Sequence, residues 1–320
     1  MTQDEPLLEV EGLCVSFGAR AAVEAVSDLG FSLAKGEVLG LIGESGSGKT
    51  MTGLALLRLL PEGANCVAKS IRFRGKDILR LDGPSFDSLR GRELAMIFQD
   101  PVGSFNPVKT IDWHLRGALS SADKGEPGEA GLAGMLTDVG IRDPARVLRS
   151  FPHQLSGGML QRALIAMVFS LRPALVIADE PTTNLDNIVE GQILELIRER
   201  QRELGTSLIF VTHDLTIARS ICDRIAVMYA GEMVEIGNTE EVLARPRHPY
   251  TAGLLKTAES LERRDPVLFE IAGDPSARAH GETCRFSLRC PESIPQCRQA
   301  HPALVRTEPA SSVRCIRHDR

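Results

Sequence analysis

The residues Gly43 to Thr50 read G-x-x-x-x-G-K-T, a set whose types suit the holding of a phosphate chain. Gly43, Gly46 and Gly48 let the backbone curl so that successive N–H groups, through Glu44, Ser45 and Ser47, point inward at phosphate oxygens. Lys49 would reach the outer phosphates and the Thr50 hydroxyl would ligate Mg²⁺. A Gly-rich turn that happens to precede a helix is the plainer reading, and the strand and helix flanks weigh against it. Further along, Asp179 and Glu180 close an apolar run, and the strands expected in "MIFQD" and "LIFVTHD" end in Gln99 and His213. Asp179 suits a Mg²⁺ shell and Glu180 is placed to polarise an attacking water, although an acid at a strand end can also cap the next helix. Ser156, Gly157 and Gly158 open a long apolar segment, a second helix start rich in N–H donors for a phosphate. Four cysteines, Cys284, Cys290, Cys297 and Cys315, crowd the end of the chain with gaps of five, six and seventeen residues.

Strand ends and helix starts must position these groups. The run Val38–Ile42 predicts a short buried strand, and Lys49–Leu60 a helix stopped by Pro61. Ala174–Ala178 predicts a buried parallel strand presenting its acids at the C-terminal edge, where doubly wound α/β sheets bind ligands. Ser156 is a good N-cap, and Pro173 ends the helix that it opens.

Bulk properties limit the function. With 320 residues and 43% apolar side chains, the chain can build one large domain with an appendage or two modest ones. A net charge of −5 argues against a general nucleic-acid binder. The acidic start "MTQDEPLLEVEG" has no secretory h-region, and the longest apolar run, "ALIAMVFSL", is too short to span a bilayer. A soluble, cytosolic chain is therefore expected, and its cysteines would face a reducing compartment.

GESGSGKT, the glutamine of IFQDP, LSGGM, LVIADEP, the NLD turn and the histidine of VTHD, in that order over roughly residues 8 to 240, resemble the ATP-binding subunit of an ABC transporter. The resemblance implies an α/β fold: a P-loop NTPase, RecA-like core with an N-terminal antiparallel β subdomain. It also implies an α-helical insert between Gln99 and Ser156, about residues 100–155, in which "SADKGEPGEAG" is a polar gap. Two such chains would dimerise head to tail. Lys49, Thr50, Gln99, Asp179, Glu180 and His213 would serve the chain's own ATP and Mg²⁺, with Thr50, Gln99 and Asp179 around the metal and His213 sensing the γ-phosphate. Ser156, Gly157 and Gly158 would serve the partner's ATP, Asp186 would lie on the interface turn, and Phe17 would stack on adenine unless it is core. Because Glu180 and LSGGM are intact, the chain is expected to hydrolyse ATP.

"IFQDPVGSFNPVKTI", "DEPTTNLD", "RPRHPYTAGLL" and the cysteine tail resemble, within that superfamily, the D-type ATPase of peptide and nickel importers. This implies an ATPase domain over 1–245 and an extension over 246–320. It further implies two membrane permeases, a second and different ATPase chain, an extracytoplasmic solute-binding protein, and a place on the cytoplasmic face of the membrane. Leu160 stands where many peptide-import members have Arg, so nickel or metal-chelate cargo is the alternative. A DNA-repair ATPase of the superfamily would need zinc modules and a chromosome-structuring one a coiled coil; neither C-x-x-C pairs nor sustained heptads occur, and no N-K-x-D motif points to GTP. Four tail thiolates suit tetrahedral Zn²⁺ or a [4Fe–4S] cluster, with disulfides or free thiols as further readings. Their spacing is neither a zinc knuckle nor a ferredoxin run, and the tail is similar to the family's iron–sulfur extension. Cys14, Cys66 and Cys222 read as ordinary buried cysteines, Trp113 and His114 as packing, "ERQREL" as a solvated helix face, and His248, Pro249 and Tyr250 carry no evident chemistry.

Overall fold

The computed structural model describes residues 5–18, 23–122, 125, 127–183, 185–263, 266–267, 269–274, 283–309 and 311–318. In chain order the elements are β1 (Leu8–Phe17), β2 (Val23–Leu33), β3 (Val38–Ile42), α1 (Lys49–Leu56), β4 (Ala64–Val67), β5 (Ser70–Phe73), β6 (Lys76–Asp77), α2 (Gly83–Asp87) and β7 (Leu94–Ile97). Then come α3 (Ile111–Ser121), α4 (Glu129–Asp138), α5 (Pro144–Arg149), α6 (Gly157–Ser170), β8 (Leu175–Asp179), α7 (Asn187–Leu204), β9 (Ser207–Thr212) and α8 (Leu215–Ile221). The last are β10 (Arg224–Tyr229), β11 (Glu232–Asn238), α9 (Thr239–Ala244), α10 (Pro249–Glu262), β12 (Val305–Glu308) and β13 (Ser311–Val313). The chain divides into two compact units, one of residues 1–34, 38–79 and 210–320, the other of 35–37 and 80–209.

The first unit contains an antiparallel sheet in which β1 pairs with β2, β4 and β5, and β5 pairs with β6. Alternation in β1, shifted by one residue at an irregularity between Val10 and Leu13, explains its two faces: Leu8, Val10, Leu13 and Val15 are buried while Glu11 is exposed. A second set of strands carries the phosphate loop. Here β3 lies parallel to β10, β10 is antiparallel to β11, and β13 joins β11 to β12. Every residue of β3 is buried, as the unbroken apolar run Val38–Ile42 requires. The tail thus extends these strands instead of forming a separate body.

The second unit holds the parallel pair β7–β8, with Leu94 to Ile97 in register with Leu175 to Ala178. Helices α3, α4 and α5 occupy residues 111–149; residues 123, 124 and 126 of the polar gap lie outside the described residues. His114 packs, its Nε2 accepting the Asn106 N–H at 2.8 Å, but Trp113 is 50% exposed beneath the Lys109 ammonium. The expected solvated face "ERQREL" is interrupted by buried Gln201, whose amide donates to the Gly36 and Thr206 carbonyls. Of the three isolated cysteines Cys222 is buried, whereas Cys14 and Cys66 are half-buried on the β1–β4 pair, where edge strand β4 leaves one side open.

The helix after the phosphate loop ends at Leu56, four residues before the expected Leu60. Arg58 takes a left-handed backbone, φ 52°, and its guanidinium donates to the Ile78 and Leu79 carbonyls at 2.6 and 3.1 Å. The helix ends in a Schellman turn about that residue, with the Arg58 N–H on the Ala55 carbonyl at 3.1 Å and the Leu59 N–H on the Leu54 carbonyl at 2.8 Å, before Pro61 is reached.

Candidate active site

Gly43 and Gly48 are the positions where the loop admits no side chain. A Cβ on Gly43 would stand 2.2 Å from the Met228 carbonyl oxygen, and one on Gly48, at φ +102°, 2.4 Å from that of Ala25. The loop is thereby pressed against β10 and β2. Gly48 is also the N-cap of α1 and makes no side-chain cap, so the first-turn N–H groups have no side-chain acceptor from it. Lys49 is buried, with Nζ donating to the Gly43 carbonyl at 2.7 Å and the Glu44 carbonyl at 3.1 Å. Ser45 and Gly46 are exposed, Ser47 is buried, and Thr50 is half-buried at the start of α1. These residues make a fixed, positively charged concavity of the kind that holds polyphosphate.

Glu44 departs from the sequence expectation. Its N–H, expected to face a phosphate, donates to the Tyr250 hydroxyl at 2.9 Å, and its carboxylate is held by Arg289. Neither partner was legible locally, because they lie 206 and 245 residues away. His248, Pro249 and Tyr250 therefore have structural work: His248 Nδ1 accepts the Tyr250 N–H at 3.0 Å and caps α10. Burial lowers the His248 pKa to about 3, so the ring is neutral and remains an acceptor.

On the same unit, His213 follows the last residue of β9 and is exposed, beside Asp214, whose carboxylate caps α8. Phe17 ends β1 half-buried, opposite Val23 and Ala64.

On the second unit, Asp179 ends β8 and is buried, and Glu180 follows it with φ 42°. A left-handed backbone on a non-glycine costs about 1 kcal/mol or more, and such strain clusters at functional sites. It aims the Glu180 carboxylate back: Oε2 accepts from Thr183 Oγ1 at 3.0 Å and from Gln99 Nε2 at 3.4 Å. Gln99 lies two residues beyond β7, exposed, where the expected strand had run on to it. Ser156 Oγ accepts the Met159 N–H at 3.3 Å as N-cap of α6, leaving Gly157 exposed. A Cβ on Gly158 would press on Val189 of α7 at 2.9 Å. Asp186, read as an interface turn, is the N-cap of α7 and accepts from the Ile188 and Val189 N–H groups. Asn184 of the same turn lies outside the described residues.

The tail cysteines share one neighbourhood. The Cys284 N–H donates to the Cys297 carbonyl at 3.0 Å, and Cys284 and Cys290 pack against a core of Val227, Tyr229, Val234, Tyr250 and Phe286. Burial, reinforced by the neighbouring thiols, pushes Cys284 up to about 12 and Cys290 to about 11, and burial raises Cys315 as well. Among the described residues no three His, Cys, Asp or Glu side chains are gathered to hold a metal ion.

No helix among the described residues is long and apolar enough to cross a membrane. Residues 26–183 match the family model described as ABC transporter, and residues 234–297 match the oligopeptide/dipeptide transporter, C-terminal region. The chain is 40% identical over 320 residues to the dipeptide transport ATP-binding protein DppD of Bacillus subtilis, covering 98% of this chain and 96% of the relative. It is also 40% identical to the oligopeptide transport ATP-binding protein OppD of Escherichia coli, covering 94% and 90%. Among solved structures, cbiO1 of Clostridium perfringens, part of the ABC transporter complex cbiONQ, superposes with a TM-score of 0.63 at 27% identity, over 76% of this chain and 92% of that one. A dimeric ATP-binding cassette with ADP and Pi gives 0.64 at 22% identity, over 72% and 98%, a likeness of fold. A phosphate loop, an acid on a left-handed backbone at a strand end, a matched C-terminal region and similarity over nearly the whole length of such relatives lead to one conclusion: the chain belongs to the ATP-binding subunits of ABC transporters, in the oligopeptide/dipeptide branch.

Proposed function

We propose that this chain hydrolyses ATP to power the import of dipeptides or oligopeptides through a membrane ABC transporter. The observation that carries the reading is one chain joining the ATPase residues to the C-terminal region matched over 234–297, at 40% identity to dipeptide and oligopeptide transport ATP-binding proteins. Within an ATPase domain of residues 1–245, Lys49 and the backbone of residues 43–50 take the phosphates, and Phe17 takes the adenine. Thr50, Gln99 and Asp179 offer hydroxyl, amide and carboxylate oxygens, the hard donors that Mg²⁺ prefers. Glu180 orients and deprotonates the attacking water, and His213 reads the γ-phosphate. Ser156, Gly157 and Gly158 act on the nucleotide of a second ATPase chain, with Asp186 on the turn between them.

That second chain is a different paralogue, and the pair sits on the cytoplasmic face of the membrane beneath two permeases fed by a solute-binding protein. Affinity purification of the tagged chain from native membranes tests this. The expected result is co-purification of two integral permeases and a second ATPase; a chain that emerges without membrane proteins and whose ATPase is stimulated by DNA overturns it. A binding protein in the same assembly that takes nickel or a metal chelate and no peptide would replace the cargo assignment, which rests on the peptide relatives.

For the residue 246–320 extension, we infer a [4Fe–4S] cluster ahead of zinc. The shared neighbourhood of Cys284, Cys290 and Cys297, with the Cys284 N–H on the Cys297 carbonyl and Cys284 and Cys290 on one core, supports it. Binding would displace the protons that burial now holds on the sulfurs. Anaerobically purified protein is expected to show broad visible absorbance and about four irons per chain. A colourless sample with stoichiometric zinc, or with no metal, contradicts the cluster.

A further inference from the structure

The stretch "TCRFSLRC" is noticed for its cysteines, but one of its arginines, Arg289, reaches the phosphate loop, and the other, Arg285, holds the turn against which the loop lies. Arg289 is buried, its side chain 2% exposed. Its Nη1 and Nη2 donate to the two Glu44 carboxylate oxygens at 2.7 and 3.0 Å, and its Nε donates to the Ala272 carbonyl at 3.1 Å. The guanidinium also lies over the Tyr229 ring, 5.7 Å from its centre. Tyr250, fully buried, accepts the Glu44 N–H. Arg285 donates to the Ala230 carbonyl at 2.6 Å and pairs with Glu232 at 2.9 Å. The next residue, Gly231, donates its N–H to the Ser47 carbonyl at 3.0 Å. The extension therefore grips the loop at Glu44 directly and at Ser47 through one turn.

We propose that Arg289 and Tyr250 are positioning residues of the phosphate loop, through which the C-terminal extension sets the affinity for nucleotide. The argument rests on the assignment of residues 43–50 to the nucleotide phosphates. Glu44 brings a carboxylate into a loop that must accept a polyanion, and its carbonyl touches the Lys49 ammonium. A bidentate guanidinium neutralises that carboxylate and fixes its direction, which a point charge does less well. Tyr250 fixes the backbone of the same residue. Three rings packed edge to face and tilted, Tyr229, Tyr250 and Phe286, with centres 4.8 to 5.3 Å apart, support it from beneath. Without Arg289 the Glu44 carboxylate, 26% exposed, would be left uncompensated beside the incoming phosphates.

The test is a double-mutant cycle on the full chain, reading the Kd of a fluorescent ATP analogue together with KM and kcat. Arg289→Gln is expected to weaken ATP binding and raise KM about tenfold, with kcat changed by less than about twofold. Adding Glu44→Gln to it removes the uncompensated charge and is expected to recover most of the affinity, which a purely structural loss in the tail could not do. Arg289→Lys keeps the charge and loses the fork, so an intermediate Kd is expected even if the glutamine variant does not fold. Unchanged Kd in folded Arg289→Gln, or a double variant as weak as the single one, overturns the proposal. Lys49→Ala in the wild-type background separates the two assignments: normal ATP binding there would overturn the phosphate-loop reading itself.

Discussion

Replacing Glu180 by Gln is expected to leave ATP binding intact and to lower ATP turnover by about 10²-fold or more, with the nucleotide-bound dimer accumulating. The carboxylate is the group that can take a proton from water as it attacks the γ-phosphate, and an amide cannot. The substitution is nearly isosteric, and one amide oxygen can still accept from Thr183 or Gln99, so the local fold should survive. The left-handed backbone at Glu180 is a cost the chain bears to aim this side chain, and it persists in the variant. Steady-state phosphate release, nucleotide binding and size-exclusion in the presence of ATP read the three parts separately. Near-normal turnover would remove Glu180 from the chemistry.

The second large effect falls on binding. Lys49→Ala is expected to weaken ATP affinity by about 10²-fold or more, because two charge-assisted bonds to phosphate, each worth about 1.5–3 kcal/mol, vanish with the ammonium. The same ammonium now bonds to the Gly43 and Glu44 carbonyls, so its loss also frees two loop acceptors and loosens the concavity. Equilibrium binding of a fluorescent analogue checks the Kd; a shift below about threefold would mean that the loop is not the phosphate site.

Much of this was written locally in the chain. The apolar runs that became β3 and β8 are buried throughout, and an unbroken run leaves no polar face to present to water. The caps at Ser156 and Asp186 follow from side-chain type and position alone, although Asp186 had been read only as an interface turn. What was not legible depends on partners distant in sequence. The partners of Glu44 come from the far end of the chain. Tyr250 lies in a segment that resembles the family but carries no evident chemistry, and Arg289 was hidden between cysteines that drew attention to themselves. For the cysteines, spacing foretold proximity, but the arrangement of four sulfurs depends on the aromatic core beneath them.

The central claim is that ATP hydrolysed on this chain drives peptide import. Its most direct measurement is ATP-dependent accumulation of a labelled dipeptide or oligopeptide in proteoliposomes holding the complete transporter. The binding protein is supplied outside, and this chain is either wild type or Glu180→Gln. Uptake that requires ATP on the side of this chain and collapses with Glu180→Gln is the predicted result; uptake that proceeds unchanged with Glu180→Gln, or ATP turnover with no peptide accumulated, would contradict it.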